Sequence, residues 1–250
     1  MRALLAIAAL FLLTGARDPI LVPEVSQHEI LVRQGFTGAQ LLLFGAILTP
    51  EGAPAGRDYD IVVVLKGPTQ SVVLREKQKV AGIWINADST ELRSAPSFYA
   101  AASSRPVRQI VDDKTAAIYE LGLPWLQLSP VGAIEPAEQA RFASGLVDLH
   151  TRGGLYKQDE GGVSVSEQVL YQARISLPSN VQTGTYTAET FAIYKGRVVA
   201  SATSSVDVRK EGFEGAITRF AEENGFLYGL AAIALSVLMG WLAGRLFALV

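Results

Sequence analysis

The chain has 250 residues, no cysteine, 18% charged residues and a formal net charge of −2, with a mean hydropathy of +0.26. It is too apolar for a disordered polypeptide and lacks the basic excess that nucleic acid demands, so no nucleic-acid partner is expected. Without cysteine it can form no disulfide, thiolate zinc site or thiol nucleophile.

The first segment, MRALLAIAALFLLTGARDP, combines one cation at Arg2 with an apolar run over 3–13 and the small residues Thr14, Gly15 and Ala16. This is the pattern of a secretory signal peptide over residues 1–16, cleaved after Ala16. As a helix the run is too short for a hydrocarbon core of about 30 Å.

A block of short strand-like runs follows, at 27–34, 39–48, 59–65, 71–75 and 80–86, parted mostly by Gly, Pro or Asp as in GFTG and TPEGAPAGRD. Such spacing predicts antiparallel strands in a sandwich. SFYAAAS at 97–103 fits a strand by its aromatics and a helix by its alanines, and both remain open.

Two helices come next. DDKTAAIYELGL offers Asp112 or Asp113 as an N-cap and Gly122 as a stop, with Ala116, Tyr119 and Leu123 at helical spacing. PAEQARFASGLVDLHTRGG has Pro136 in its first turn, an apolar line of Phe142, Leu146 and Leu149, and Gly153-Gly154 at its end. Strands return in EQVLYQARISLP, GTYTAETFAIYKG and RVVASATSSVDVRK, with 194–197 as a turn between the last two.

This order predicts a mainly β fold: an immunoglobulin-like antiparallel sandwich over residues 17–210 with a two-helix insert at about 105–153. Two small β domains flanking the helices are the alternative. LPSNVQTGTY, leading to an inward-facing Tyr186, has the rhythm of the closing strands of such a sandwich, although the disulfide and strand-C tryptophan of antibody domains are missing.

EGFEGAITRFAEEN then sets Phe213, Ile217 and Phe220 at helical spacing, so residues 211–225 are expected to form an amphipathic helix against a membrane surface. From Phe226 to Gly244 no residue is charged, which predicts a transmembrane helix over 226–249, with Tyr228 and Trp241 at the interfaces and Arg245 snorkelling to the head groups. With an exported N-terminus, the chain would cross the bacterial inner membrane once and hold its large domain in the periplasm. At about 100° per residue, Gly225, Gly229, Ala232, Ser236, Gly240 and Gly244 share roughly a third of the helix circumference and contain two GxxxG spacings. Such a helix-packing face lets another helix approach closely. The expected partners are therefore the lipid bilayer and either a polytopic membrane protein or a second copy of the chain.

Signals of chemistry are sparse. His28 and His150 are the only histidines and stand far apart, and no HExxH, GxSxG, Walker-type or GxGxxG motif is present, so no catalytic residue, metal or cofactor is expected. The densest polar and aromatic group is Trp84, Asn86, Phe98, Tyr99, Ser103, Arg105 and Arg108. Its two guanidinium forks suit carboxylate, sulfate or phosphate, which makes it a candidate ligand or partner contact. The leading expectation is a non-enzymatic, membrane-anchored accessory subunit of a membrane complex such as a transporter. The alternative is an oxyanion or small-ligand binding module tethered to the membrane.

Taken together, GFTGAQLLLFGA (35–46), VAGIWIN (80–86), PSFYAAASSRP (96–106), LPSNVQTGTYTAE (177–189) and the final FLYGLAAIALSVLMGWLAG resemble a family of alphaproteobacterial transmembrane proteins of unknown function. Its members are of about this length, with one span near the C-terminus. The resemblance implies an architecture and a location, with no reaction, ligand or cofactor. It also implies an association with neighbouring genes for sulfite-exporter-type permeases.

Overall fold

The structure is a computed structural model that describes residues 19–49, 58–132 and 134–247. The expected signal segment and most of the TPEGAPAGRD loop lie outside the described residues. Contacts divide the chain into two units: residues up to Ile30 together with Thr37–Val208, and Leu31–Phe36 together with Arg209 onward.

The first unit is mainly β. Strands β1 (Ile20–Val25), β3 (Gly38–Leu48), β10 (Leu170–Pro178) and β9 (Val163–Ser166) form one sheet in the order β1-β3-β10-β9. Strands β2 (Glu29–Val32), β12 (Arg197–Lys210), β11 (Gly184–Tyr194), β4 (Asp60–Lys66), β7 (Tyr99–Ser103) and β8 (Tyr156–Glu160) form the other in that order, with β2 and the end of β12 running into the second unit. The two sheets face each other as a sandwich. On the inner side Tyr171 of β10 directs its hydroxyl at Thr190 Oγ1 of β11, 3.4 Å away. Gly45 on β3 lies opposite both Pro23 and Tyr171. A Cβ at Gly45 would stand 2.3 Å from the Val22 carbonyl oxygen and 2.6 Å from the Tyr171 hydroxyl, so only glycine lets the strands close here.

β4 carries the sequence IVVVL, and all five residues are buried. Alternation explains why both faces must be apolar. Ile61, Val63 and Leu65 are in register with Ala192, Thr190 and Ala188 on the side facing the other sheet. Val62 and Val64 pack instead with Phe191, Ile193, Val107, Ile110, Ala116 and Leu121. The last four come from a mainly helical layer over the outer face: α1 (Val107–Ile110), α2 (Asp113–Tyr119), the link at Leu121, a 3-10 turn at Leu123–Trp125 and α3 (Pro136–Arg152). β7 and β8 are parallel neighbours and so need a long crossover, which these helices supply. Asp112 caps α2 by accepting the Thr115 amide at 3.0 Å, and hydrogen bonds from Thr115 hold its carboxyl below the ordinary range.

Between β4 and β7 the chain leaves the sandwich as an antiparallel arm, β5 (Thr69–Val80) and β6 (Ile83–Pro96). Its base is packed: Leu92 and Ala95 are buried with Leu128 and with Leu146 of α3. Halfway along, Arg141 of α3 reaches Glu76 at 3.1 Å and Asp88 at 2.7 Å, one carboxylate from each strand.

The second unit contains Glu211, whose amide donates to the Val32 carbonyl at 3.0 Å and whose carboxylate pairs with Arg33. Its helices are α4 (Phe213–Glu223) and α5 (Gly225–Phe247). Ile217 and Phe220 of α4 are exposed.

Several sequence expectations are revised. The strand expected over 80–86 is cut by a two-residue turn, because Ala81 and Gly82 both take positive φ, at 51° and 87°, and reverse the chain. The segments at 71–75 and 80–86 thus become the two limbs of one hairpin. SFYAAAS resolves as strand β7, with Tyr99–Ser103 buried between β4 and β8. Leu149, expected on the buried line of α3, is 64% exposed, while Phe142 and Leu146 are buried. Strands β1, β8 and β9 were not expected. The turn at 194–197 does form, with Lys195 and Gly196 at φ 49° and 79°.

Candidate functional site

α5 is the most distinctive element of the second unit. Gly225–Arg245 has a mean hydropathy of 2.0, and none of it is buried among the described residues. A helix of 21 residues rises about 31 Å, the thickness of a hydrocarbon core. Leu230, Leu235, Leu238 and Met239 stand exposed, at a cost in water that lipid removes. Along the small-residue face, a Cβ built at Gly225, Gly229, Gly240 or Gly244 meets nothing within 4 Å among the described residues. Ser236 satisfies its hydroxyl by donating to the Ala232 carbonyl at 2.9 Å, so it adds no unmet polar group to the span.

The seven residues of the expected ligand group are dispersed. Phe98 and Tyr99 are core residues: Phe98 lies 5.9 Å from the Tyr186 ring, and Tyr99 donates its hydroxyl to the Glu120 carbonyl at 2.6 Å. Burial and the nearby Glu120 charge push the Tyr99 phenol far above its ordinary range. Ser103 is buried in β7. Arg105 spends its fork on Asp60, with Nε at 2.7 Å and Nη2 at 2.6 Å, while the Arg108 guanidinium stands 5.9 Å over the Trp125 ring. Trp84 and Asn86 sit toward the far end of the arm, and β6 covers about 40 Å from Trp84 to Pro96. Asn86 borders a shallow depression of about 350 Å³ with Arg75, Asp88 and Ser89.

One polar cluster escaped the sequence reading. Lys66 at the end of β4 meets Glu120 at 2.7 Å and Glu189 of β11 at 3.2 Å. Burial works against its ammonium, but the two carboxylates outweigh it and hold Lys66 above its usual pKa. Glu120 also accepts the Gln127 amide at 2.8 Å, from a left-handed position at φ 51°. Every partner is accounted for within the fold, so the cluster ties the helical layer to the sheet. The partners lie 54 and 69 residues from Glu120 along the chain, a separation that carries no local signal in the sequence.

A family model described as "Putative transmembrane protein (Alph_Pro_TM)" matches residues 20–248. The chain belongs to this alphaproteobacterial transmembrane family. The match begins at the first residue of β1 and runs past the end of α5, so both sheets, the arm and the apolar helix are features of the Alph_Pro_TM unit. No curated protein matches the chain.

Proposed function

We propose that this Alph_Pro_TM protein is a non-enzymatic accessory subunit of a membrane complex, anchored in the bacterial inner membrane by α5 with its β domain in the periplasm. The carrying observation is the open glycine face of α5, where no stripe glycine has a neighbouring atom against its Cβ position among the described residues. In lipid, close backbone approach is one of the few attractions available to a helix, and a polytopic transporter is the kind of partner that offers a matching groove. The domain is read as immunoglobulin-like. The sheet orders β1-β3-β10-β9 and β12-β11-β4-β7 correspond to the A-B-E-D and G-F-C-C′ orders of that fold, with the β5–β6 arm between C and C′. Tyr186 on the F-equivalent strand donates to the Gln182 carbonyl at 2.8 Å, as a tyrosine corner does. The alternative, an oxyanion-binding module, draws less support, since the Arg105 fork is occupied by Asp60.

Single cysteines decide between these readings, because the chain has none of its own. Ala232→Cys lies on the small-residue face and Leu238→Cys on the opposite one. In native membranes the first should crosslink to a distinct membrane protein and the second should not. Replacing the span by polyleucine should abolish that crosslink, and equal crosslinking from both faces would refute the accessory role.

A further inference from the structure

The arm beyond Arg141 is built unlike the rest of the first unit. Glu76 and Asp88 are both engaged by Arg141, which closes off the acidic charge at mid-arm. From there to the turn the only ionisable residues are Lys77 and Lys79, so the tip carries +2 and no carboxylate. Four large apolar side chains stand out from it: Val80 at 50% exposure, Ile83 at 68%, Trp84 at 66% and Ile85 at 45%. The register sorts them. Val80 faces Ile83 and Gln78 faces Ile85 on one side, while Lys79 faces Trp84 and Lys77 faces Asn86 on the other.

We propose that the arm tip is a second membrane contact, docking Trp84 and its aliphatic neighbours into the head-group zone of an anionic bilayer. Tryptophan prefers that zone, where its ring is half desolvated and its N–H stays wet, and lysines beside it can bury their stems while holding ammonium groups among phosphates. The positive tip complements the negative charge of such lipids. Among the described residues both edges of the hairpin are unpaired near the turn, and unpaired backbone groups cannot enter hydrocarbon. Docking therefore stops at the interface. Because the arm and the apolar helix belong to one chain, a bilayer that takes up the helix raises the effective concentration of a weak contact. Pairing with a second copy through the uncharged 83–87 stretch of β6 is the competing occupant.

The test uses the full chain with one introduced cysteine, Ile83→Cys, carrying an environment-sensitive fluorophore. It is reconstituted in vesicles of phosphatidylcholine alone or of equal parts phosphatidylcholine and phosphatidylglycerol. On the anionic vesicles the label should shift to the blue and be quenched by spin labels at head-group depth, while a label at exposed Ser201 stays water-like. Lys77→Gln and Lys79→Gln should each weaken docking about fivefold, and Trp84→Ala should weaken it further. A water-like label at position 83 in both vesicle types overturns the proposal. So does a blue shift that follows protein density and energy transfer between copies while ignoring lipid charge, which would assign the tip to self-pairing.

Discussion

Tyr186 shows how much one side chain can hold in this domain. Its ring is fully buried, its hydroxyl closes a loop onto the Gln182 carbonyl, and burial pushes the phenol up to about 12. Tyr186→Phe removes one hydrogen bond and leaves the carbonyl to find water, so it should cost about 1 kcal/mol, read as a lower urea midpoint with an unchanged slope in detergent. His150 makes the contrasting case. It sits edge-on to Tyr156 with ring centroids 4.5 Å apart, its Nδ1 is buried with no hydrogen-bond partner among the described residues, and burial lowers its pKa. A lowered folded value means the unfolded chain binds the proton first as pH falls. The contribution is complete above about pH 6.5 and is lost as pH drops through the depressed folded value. His150→Gln should therefore flatten the decline in melting temperature between neutral and mildly acidic pH. An unaltered slope would show that His150 titrates alike in both states. In sequence His150 stands only near the end of the helical segment that Gly153-Gly154 closes. Its environment was illegible, because Tyr156 joins it only through the packing of α3 on β8.

At the scale of elements, legibility followed the strength of the local signal. α2 and α3 were readable because Asp112, Pro136 and Gly153 punctuate them. The arm was not, since Ala-Gly is a weak reversal signal inside the apolar run VAGIWI, and strand periodicity continues through a two-residue turn without a break. β7 was ambiguous for a different reason. Buried on both faces, it has no polar alternation, and alanines suit a strand pressed between neighbours as well as they suit a helix. The seven-residue ligand group rested on closeness in sequence, and the extended arm carries Trp84 away from Phe98 by its full length. Arg141 is the clamp that fixes where the free part of the arm begins. Arg141→Ala should release Glu76 and Asp88 together and speed amide exchange around residues 74–77 and 87–90 by up to about fivefold, as expected for partly exposed ion pairs. Exchange in β4 should not change, and equal acceleration there would mean that Arg141 supports the whole domain.

For the whole molecule, the deciding question is which solvent the C-terminal helix occupies. The β domain buries its apolar residues in the ordinary way, whereas α5 leaves an entire span uncovered with no charge between Phe226 and Gly244. Exposed leucines at that density would drive aggregation in water, and a bilayer removes the penalty without any partner. On insertion scales a leucine near the middle of a span contributes about −0.5 kcal/mol and an arginine costs about 3. Leu235→Arg together with Leu238→Arg should therefore remove roughly 7 kcal/mol from insertion, more than snorkelling from the middle of the helix can recover. The wild-type chain should stay with membranes through carbonate washing, the double variant should move to the supernatant, and Leu235→Ile with Leu238→Ile should behave as wild type. Neither leucine belongs to the buried core of the β domain, so the double variant should keep that domain's urea midpoint. If that midpoint fell as well, the helix would be packed against protein, and its uncovered leucines would have to be explained by a buried interface in place of lipid.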